Sequence, residues 1–251
     1  MLKMLLARAR QGNRTGTFPA EPPSLPPLFR GKPVLHAAKC LSGCSICTEI
    51  CPTDAVQVSQ EGPLIDLGRC IFCDECAKAC PEGAITFSLD WRLAATERSG
   101  LCVAGDAQPP VAMLRDELRR LLGRSLRLRQ ISAGGCNGCE VEVNATGNIV
   151  FDASRFGIDF VASPRHADGV LITGPVSENM REATLMTYQA VAEPKLVIAA
   201  GTCAISGGIF RGHREVENGV EGLIPVDLYV PGCPPHPITI LDGLLRLLGR
   251  L

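Results

Sequence analysis

The sequence predicts an α/β protein in two parts. A small α+β unit is built on a cysteine repeat, and a larger domain follows with an open, mostly parallel sheet. Three observations carry this. Eight cysteines fall between Cys40 and Cys80 in two near-copies of one spacing, each closed by Cys-Pro. From residue 126 onward, continuous apolar runs such as Gly169–Thr173 and Lys195–Ala200 read as strands buried on both faces, the pattern of parallel sheets. Between those runs, Ser177–Val191 suits a crossover helix and Pro194 breaks it, which makes the order β-α-β.

The first cysteine run is Cys40-Leu-Ser-Gly-Cys44-Ser-Ile-Cys47-Thr-Glu-Ile-Cys51-Pro52. The second is Cys70-Ile-Phe-Cys73-Asp-Glu-Cys76-Ala-Lys-Ala-Cys80-Pro81. The second has the C-x2-C-x2-C-x3-C-P spacing by which bacterial ferredoxins hold iron–sulfur clusters on thiolates. The first is one residue longer between Cys40 and Cys44. Gly43 is placed to absorb that residue as a bulge; a distorted four-iron cluster and a three-iron cluster are the alternatives there. Zinc also takes four cysteines, but tight triple-cysteine runs closed by Cys-Pro are cluster geometry. Short strands are expected at Ala55–Val58, Pro63–Asp66 and Ala84–Phe87. The unit has too few apolar residues to fold well without metal.

Composition narrows the class. A length of 251 residues allows one large core or two modest ones. A net charge of −1 gives no electrostatic reason to bind nucleic acid, and one Trp and two Tyr are too few for base stacking. Thirteen cysteines do not pair completely, and disulfide scaffolds are short chains with roughly 8–10 % cysteine or more. Clustered cysteines in a reducing compartment are metal ligands, so a cytosolic metalloprotein is expected. No run of about 18 uncharged apolar residues suggests a membrane span, and Met1–Arg10 lacks the cleavage site of a secretory signal.

The remaining elements follow in order. Met1–Arg10 reads as an amphipathic helix with Lys3, Arg8 and Arg10 on its wet side, suited to a membrane surface or a partner; a frayed basic terminus is the alternative. Prolines 19, 22, 23, 26 and 27 exclude helix from residues 11–33. The interleaved Phe18, Leu25, Leu28 and Phe29 imply an arm packed along a surface. Residues 91–110 read as a connector. Val111–Leu122 has helical periodicity, with 111, 114, 118, 121 and 122 on one face and Gly123 as its stop. Its basic face, Arg115, Arg119, Arg120 and then Arg124, is either solvated or docked on an acidic partner. Leu126–Ile131 alternates as a strand, Leu223–Asp227 reads as another, and Ile238–Leu248 closes the chain as an amphipathic helix.

Four of the five remaining cysteines fall just past the carboxyl ends of expected strands, where open α/β sheets bind ligands. Cys136 and Cys139 follow Leu126–Ile131, Cys203 follows Lys195–Ala200, and Cys233 follows Leu223–Asp227. They form a third four-cysteine site. Glycines at 134, 135, 138, 201, 207, 208 and 232 give the backbone freedom to wrap a bulky cluster. Ligands scattered from 136 to 233 do not by spacing separate a cluster from zinc. Cys102 is left over as a buried or connector thiol. No G-x-G-x-x-G follows a strand and no Walker motif is present.

The second half resembles the small subunit of NiFe-hydrogenases, in the branch shared with the proximal-cluster subunit of respiratory complex I. The residues that carry this are Gly135-Cys-Asn-Gly-Cys-Glu140, Ser163-Pro-Arg-His-Ala-Asp168, Thr173-Gly-Pro175, Gly201-Thr-Cys203, Ser206-Gly-Gly-Ile-Phe210 and Pro231-Gly-Cys-Pro-Pro235. Through Phe29-Arg-Gly-Lys-Pro33, both cysteine runs and Asp66-Leu-Gly-Arg-Cys70, the first part resembles the two-cluster ferredoxin subunit of the same complexes. The chain looks like a fusion of the two, of group 4 hydrogenase or formate-hydrogenlyase type.

The resemblance implies an arm at 1–33, a two-cluster ferredoxin domain at 34–97, a connector and helix at 98–125, and a flavodoxin-like domain at 126–251. It implies three 4Fe-4S clusters. Because ligation in such repeats crosses over, one falls to Cys40, Cys44, Cys47 and Cys80, and another to Cys70, Cys73, Cys76 and Cys51. The third, proximal cluster falls to Cys136, Cys139, Cys203 and Cys233. The chain would be an oxidoreductase subunit without the catalytic centre. It would relay electrons to or from a NiFe large subunit, alongside membrane subunits and an upstream donor protein. Its place would be peripheral on the inner, cytoplasmic face of the membrane. The alternative is a complex I-like NADH-quinone oxidoreductase module facing a 49 kDa-like subunit. That branch places its first two ligands as adjacent cysteines, whereas Cys136 and Cys139 have the hydrogenase-like spacing. Glu140 is either a proton relay at the subunit junction or a residue fixing the cysteine loop. Arg165, His166 and Asp168 order the loop before residue 169 or meet the large subunit; His36, His213 and His236 are read as structural.

Overall fold

The computed structural model describes residues 2–12, 14–105, 113–114, 116–122 and 125–251. Helix α1, Leu2–Gln11, has no buried residue. Leu2, Leu5, Leu6 and Ala9 recur at i, i+3, i+4 and i+7 and form one apolar stripe. The proline-rich arm then runs along the larger domain. Phe18 is buried with its ring edge-on to Trp91 at 6.4 Å. Arg155 donates to Gly16 O at 2.8 Å and to Phe18 O at 2.7 Å. Leu28 departs from the expectation and stays exposed.

The cysteine-repeat unit contains β1 Pro33–Leu35, α2 Ile46–Glu49, β2 Val56–Ser59, β3 Gly62–Asp66, α3 Glu75–Ala79, β4 Ile85–Phe87 and β5 Cys102–Ala104. The three expected strands are present. β1 and β5 are additions: β1 pairs antiparallel with β4, and β5 adds a third strand to the β2–β3 hairpin. β5 lies in the stretch expected to be connector. Val103 within it and Leu101 just before it are completely buried, which anchors this short strand against β3.

The second domain contains α4 Asp116–Leu122, β6 Leu126–Ser132, α5 Gly138–Ala145, β7 Ile158–Phe160, β8 Gly169–Thr173, α6 Glu178–Ala190, β9 Leu196–Ala200, α7 Thr202–Ser206, β10 Leu228–Val230 and α8 Pro237–Leu247. Of the helix expected over 111–122, residues 111, 112 and 115 lie outside the described residues, as do Gly123 and Arg124. Two strand expectations need correcting. β7, three residues long, is a strand that the sequence pattern does not announce. The strand expected at Leu223–Asp227 forms instead at Leu228–Val230. Leu223 and Ile224 donate back to Val220 O in a turn, and Pro225 has no N–H for a ladder. Asp227 closes the gap by exchanging bonds with Val197, N to O at 2.9 Å and Oδ2 from N at 2.8 Å.

The sheet order is β10-β9-β8-β6-β7 with every pairing parallel. Counted by appearance this is 2-1-3-4-5, the flavodoxin-like order. Alternation along the strands separates two faces. Leu171, Leu196, Ile198, Leu228 and Val230 pack under α8 with Ile240, Leu241 and Leu244. Val170, Ile172, Val197, Ala199 and Tyr229 face the other way, into a core that continues through Ile205 to Ile65, Leu67 and Cys70 of the repeat unit. A bridge between Ala95 and Tyr229 stitches the two parts at the sheet margin.

Candidate metal centres

All five strands point the same way, so their carboxyl ends form one rim. Cys136 and Cys139 follow β6, with Asn137 between them turning the chain at φ 71° and Cys139 in the first turn of α5. Cys203 stands in the first turn of α7, directly beyond β9. Cys233 follows β10. The sheet therefore gathers four thiols separated widely in sequence. Their mutual influence is legible in their acidity. Burial, then Cys203, Glu140, Cys233 and Cys136, hold the Cys139 thiol far above its ordinary value. Burial, then Cys233, Cys136 and Glu140, push Cys203 up to about 11. Burial raises Cys233, with Cys136 and then Cys73 of the repeat adding to it. Gly201, at φ 93°, is what lets the β9 turn pass this group, because a Cβ there would run into Cys139 Sγ. Cys136 and Cys233 are exposed, so the rim is open on one side.

The repeat unit holds two further hollows. Cys40, Cys44, Cys47 and Cys80 wall one of them. Cys51, Cys70, Cys73 and Cys76 wall the other. These are the crossed sets: α2 and α3 pack side by side, which brings the last cysteine of each run to the first three of the other. Backbone N–H groups already aim at sulfur, from Ala55 to Cys51 at 3.3 Å, Phe72 to Cys70 at 3.4 Å and Ala84 to Cys80 at 3.2 Å. Burial pushes Cys70 up to about 12, with Cys76, Cys51 and Cys73 contributing. Burial lifts Cys76 to about 11, helped by Cys51, Cys73 and, from the other set, Cys47. The extra residue of the first run is taken up at Gly43, whose φ is 77° with open space where a Cβ would stand.

Among the described residues, no group of three or more His, Cys, Asp or Glu is set to hold a single metal ion. The thiols surround hollows instead, without disulfides. Four thiols with backbone N–H groups aimed at sulfur suit an iron–sulfur cluster, whose sulfurs such hydrogen bonds tune. Cysteine binds metal as the thiolate, so loading such a group releases protons.

The other candidate residues take definite places. Glu140 is buried, and its Oε1 accepts from Ser132 Oγ and Thr173 Oγ1, each at 2.7 Å. Burial works to raise its pKa, but those hydrogen bonds win and hold it below the ordinary value. It braces the ends of β6 and β8. Asp168 Oδ2 accepts from Arg127 N at 2.7 Å and orders the entry to β8, while Arg165 and His166 are exposed in the turn before it. His236 caps α8: its Nδ1 accepts from Ile238 N at 3.2 Å between the rings of Phe29 and Phe151. Cys102 is exposed on β5, not buried. Thr202 and Ser206, which bond across to Cys70 of the second cysteine run and to Gly68 just ahead of it, carry no signal in the sequence, since a buried hydroxyl looks like any other.

These features describe an iron–sulfur protein in two parts: a ferredoxin-like unit with paired four-thiol hollows, joined to a flavodoxin-like domain with four more thiols on its rim. Residues 39–85 match the 4Fe-4S dicluster domain, and residues 136–247 match the NADH ubiquinone oxidoreductase, 20 Kd subunit family. A probable membrane-bound hydrogenase subunit, mbhJ, of Pyrococcus furiosus is 41 % identical over 54 % of this chain and 81 % of its own length. The chain belongs to the NADH ubiquinone oxidoreductase 20 kDa subunit family, with an iron–sulfur dicluster domain ahead of it. Formate hydrogenlyase subunit 7 of Escherichia coli is 42 % identical over 62 % of this chain; the chain spans 61 % of that relative's length. An NADH-quinone oxidoreductase subunit of Citrifermentans bemidjiense is 45 % identical over 45 % of this chain and 66 % of its own. A solved structure of the membrane-bound sulfane sulfur reductase (MBS), an archaeal respiratory membrane complex, is 32 % identical over 54 % of this chain and 75 % of that chain, with a TM-score of 0.47.

Proposed function

We propose that this chain is the electron-transfer subunit of a membrane-associated NiFe-hydrogenase-type complex and relays electrons through three 4Fe-4S clusters to or from a large-subunit metal site. The observation that carries the reading is the succession of three four-thiol groups: Cys47 of the first neighbours Cys76 of the second, and Cys73 of the second neighbours Cys233 of the third. Clusters bound there would supply one-electron transfer. The chain's own residues contribute the thiol cages, the N–H groups aimed at sulfur, and a continuous apolar core that keeps water from between the cages. The exposed Cys136 and Cys233, with Ile209 and Phe210 exposed beyond Cys203, support a docking edge for the large subunit at this rim. Among the described residues no helix is long and apolar enough to cross a membrane. Contact with the membrane would be peripheral, through the stripe of α1 flanked by Lys3, Arg8 and Arg10, on the cytoplasmic face.

The second reading, a complex I-like quinone module, is favoured by the likeness to the NADH-quinone oxidoreductase relative over 113 residues. The spacing of Cys136 and Cys139 favours the hydrogenase type. Metal analysis of the intact complex, purified through this chain, tests the choice. The expected result is nickel together with at least about twelve irons per copy of this chain, the sum for its three four-iron clusters, to which the large-subunit site and any donor clusters add. About twelve irons or more without nickel would transfer the chain to the second reading.

A further inference from the structure

We infer that Thr202 is a positioning residue that sets the gap between the second and third cysteine groups, with Ser206 as its support. The inference rests on the relay reading above. Thr202 is 1 % exposed and stands between the two groups. Its Oγ1 donates to Cys70 O at 2.8 Å, the carbonyl of a residue walling the second hollow. Its backbone N donates to Gly232 O at 2.9 Å, next to Cys233, and Cys203 follows it in the chain. Gly232 O also lies 3.1 Å from Oγ1. A hydroxyl has one proton, and the shorter contact to Cys70 O takes it. One residue therefore touches the backbone of both thiol-bearing loops.

One turn later, Ser206 Oγ donates to Gly68 O at 2.7 Å. A Cβ on Gly68 would stand 2.9 Å from Ile205 Cγ2, so α7 and the Gly68–Cys70 turn meet with no spare space. The two hydroxyls lie on one face of α7, at i and i+4, and clamp the carbonyls of Cys70, the first residue of the second run, and of Gly68 just ahead of it. Ion pairs elsewhere along this seam are looser, with Arg98 Nε 3.9 Å from Glu221. The hydroxyl bonds are the short, buried ones, and they sit where the second and third groups approach.

The test uses the intact complex carrying Thr202→Val, which keeps the shape and removes the donor, and Thr202→Ser, which restores it. Thr184→Val is the control: it removes a buried hydroxyl on α6 that has no hydrogen-bond partner. Three readouts are taken: iron content, the spin–spin interaction between reduced clusters by electron paramagnetic resonance, and amide hydrogen exchange of residues 68–72. Thr202→Val is expected to keep the iron of the parent, lose part of the spin–spin splitting, and exchange about tenfold or more faster over 68–72. Thr202→Ser and Thr184→Val are expected to match the parent. Parental splitting and exchange in Thr202→Val overturn the inference. An iron content of about eight in the parent itself would sink the third-cluster reading; the exchange result would still decide whether Thr202 holds the loop. Should Thr202→Val not accumulate, Ser206→Ala breaks the second bond alone, and unchanged exchange there would likewise overturn the clamp.

Discussion

Replacing Gly201 with alanine probes the third cysteine group through a single methyl. The turn after β9 has φ 93° and ψ 151° at this residue, a region that is essentially glycine's alone. Holding alanine there costs about 1–3 kcal/mol. The added Cβ would lie inside 3.0 Å of Cys139 Sγ, and ordinary contact begins at 3.4 Å. The sulfur or the turn must therefore give by more than 0.4 Å, the difference between those limits. Metal-binding constellations tolerate displacements of only about 0.5 Å, and here backbone strain acts on the same turn. We expect Gly201→Ala to hold about eight irons in place of about twelve. Gly212→Ala isolates the backbone component, since Gly212 has φ 80° but nothing within 4 Å of a Cβ. It should lose about 1–2 kcal/mol by urea unfolding and no iron. The assay is iron and sulfide stoichiometry with urea unfolding on the same preparations. A Gly201→Ala protein with the iron content and spectrum of the parent would overturn this account of the turn.

Three further outcomes are expected. Glu140→Ala removes the acceptor of Ser132 Oγ and the shorter acceptor of Thr173 Oγ1, whose alternative is Ile131 O at 3.3 Å, and should cost about 1–3 kcal/mol, whereas Glu140→Gln keeps an acceptor and should cost about 1. Because the folded Glu140 pKa is lowered, its contribution is present above the ordinary value near 4.3 and is lost as pH falls through the folded value; a pH series of urea midpoints in which Glu140→Gln shows the same acid loss as the parent would contradict this. Turnover retained in Glu140→Gln would identify the residue as a brace and not a proton relay. Burial lowers the His236 pKa, so the unfolded chain binds its proton more readily and stability should fall as pH drops below about 6.5. His236→Asn keeps a capping acceptor without titrating and should flatten that part of the curve. Deleting residues 2–11 should leave the iron content unchanged and abolish sedimentation with phosphatidylglycerol vesicles; retained sedimentation would place the membrane contact elsewhere.

Much of the architecture is legible along the chain because its signals are local. The β8–α6–β9 unit announces itself through two apolar runs and a polar, helical stretch between them. The crossed sets in the repeat are what the ferredoxin spacing implies, and the two hollows are lined by the same groups of cysteines. Elements without such a signal are short or context-dependent. β5 and β7 are three residues each, too few for a period to appear. The pattern places β10 one step early because Leu223–Val226 are as apolar as the strand itself. The chain prefers Leu228–Val230 because that segment pairs with β9 and is buried on both faces, Leu228 and Val230 under α8 and Tyr229 in the core shared with the repeat unit.

Which thiols belong together in the repeat, the likeness to a two-part iron–sulfur subunit, and the general place of the third group past the strand ends can all be read from the residues in order. Spacing and burial pattern are one-dimensional and survive without coordinates. How the two parts are joined is a three-dimensional matter. One face of the parallel sheet packs on the repeat unit in a shared core, and Thr202 and Ser206 reach from the Cys203 turn to the Gly68–Cys70 backbone. Those contacts depend on where α7 lands once five strands have aligned, and no residue near 70 or near 202 carries that information in its neighbours along the chain.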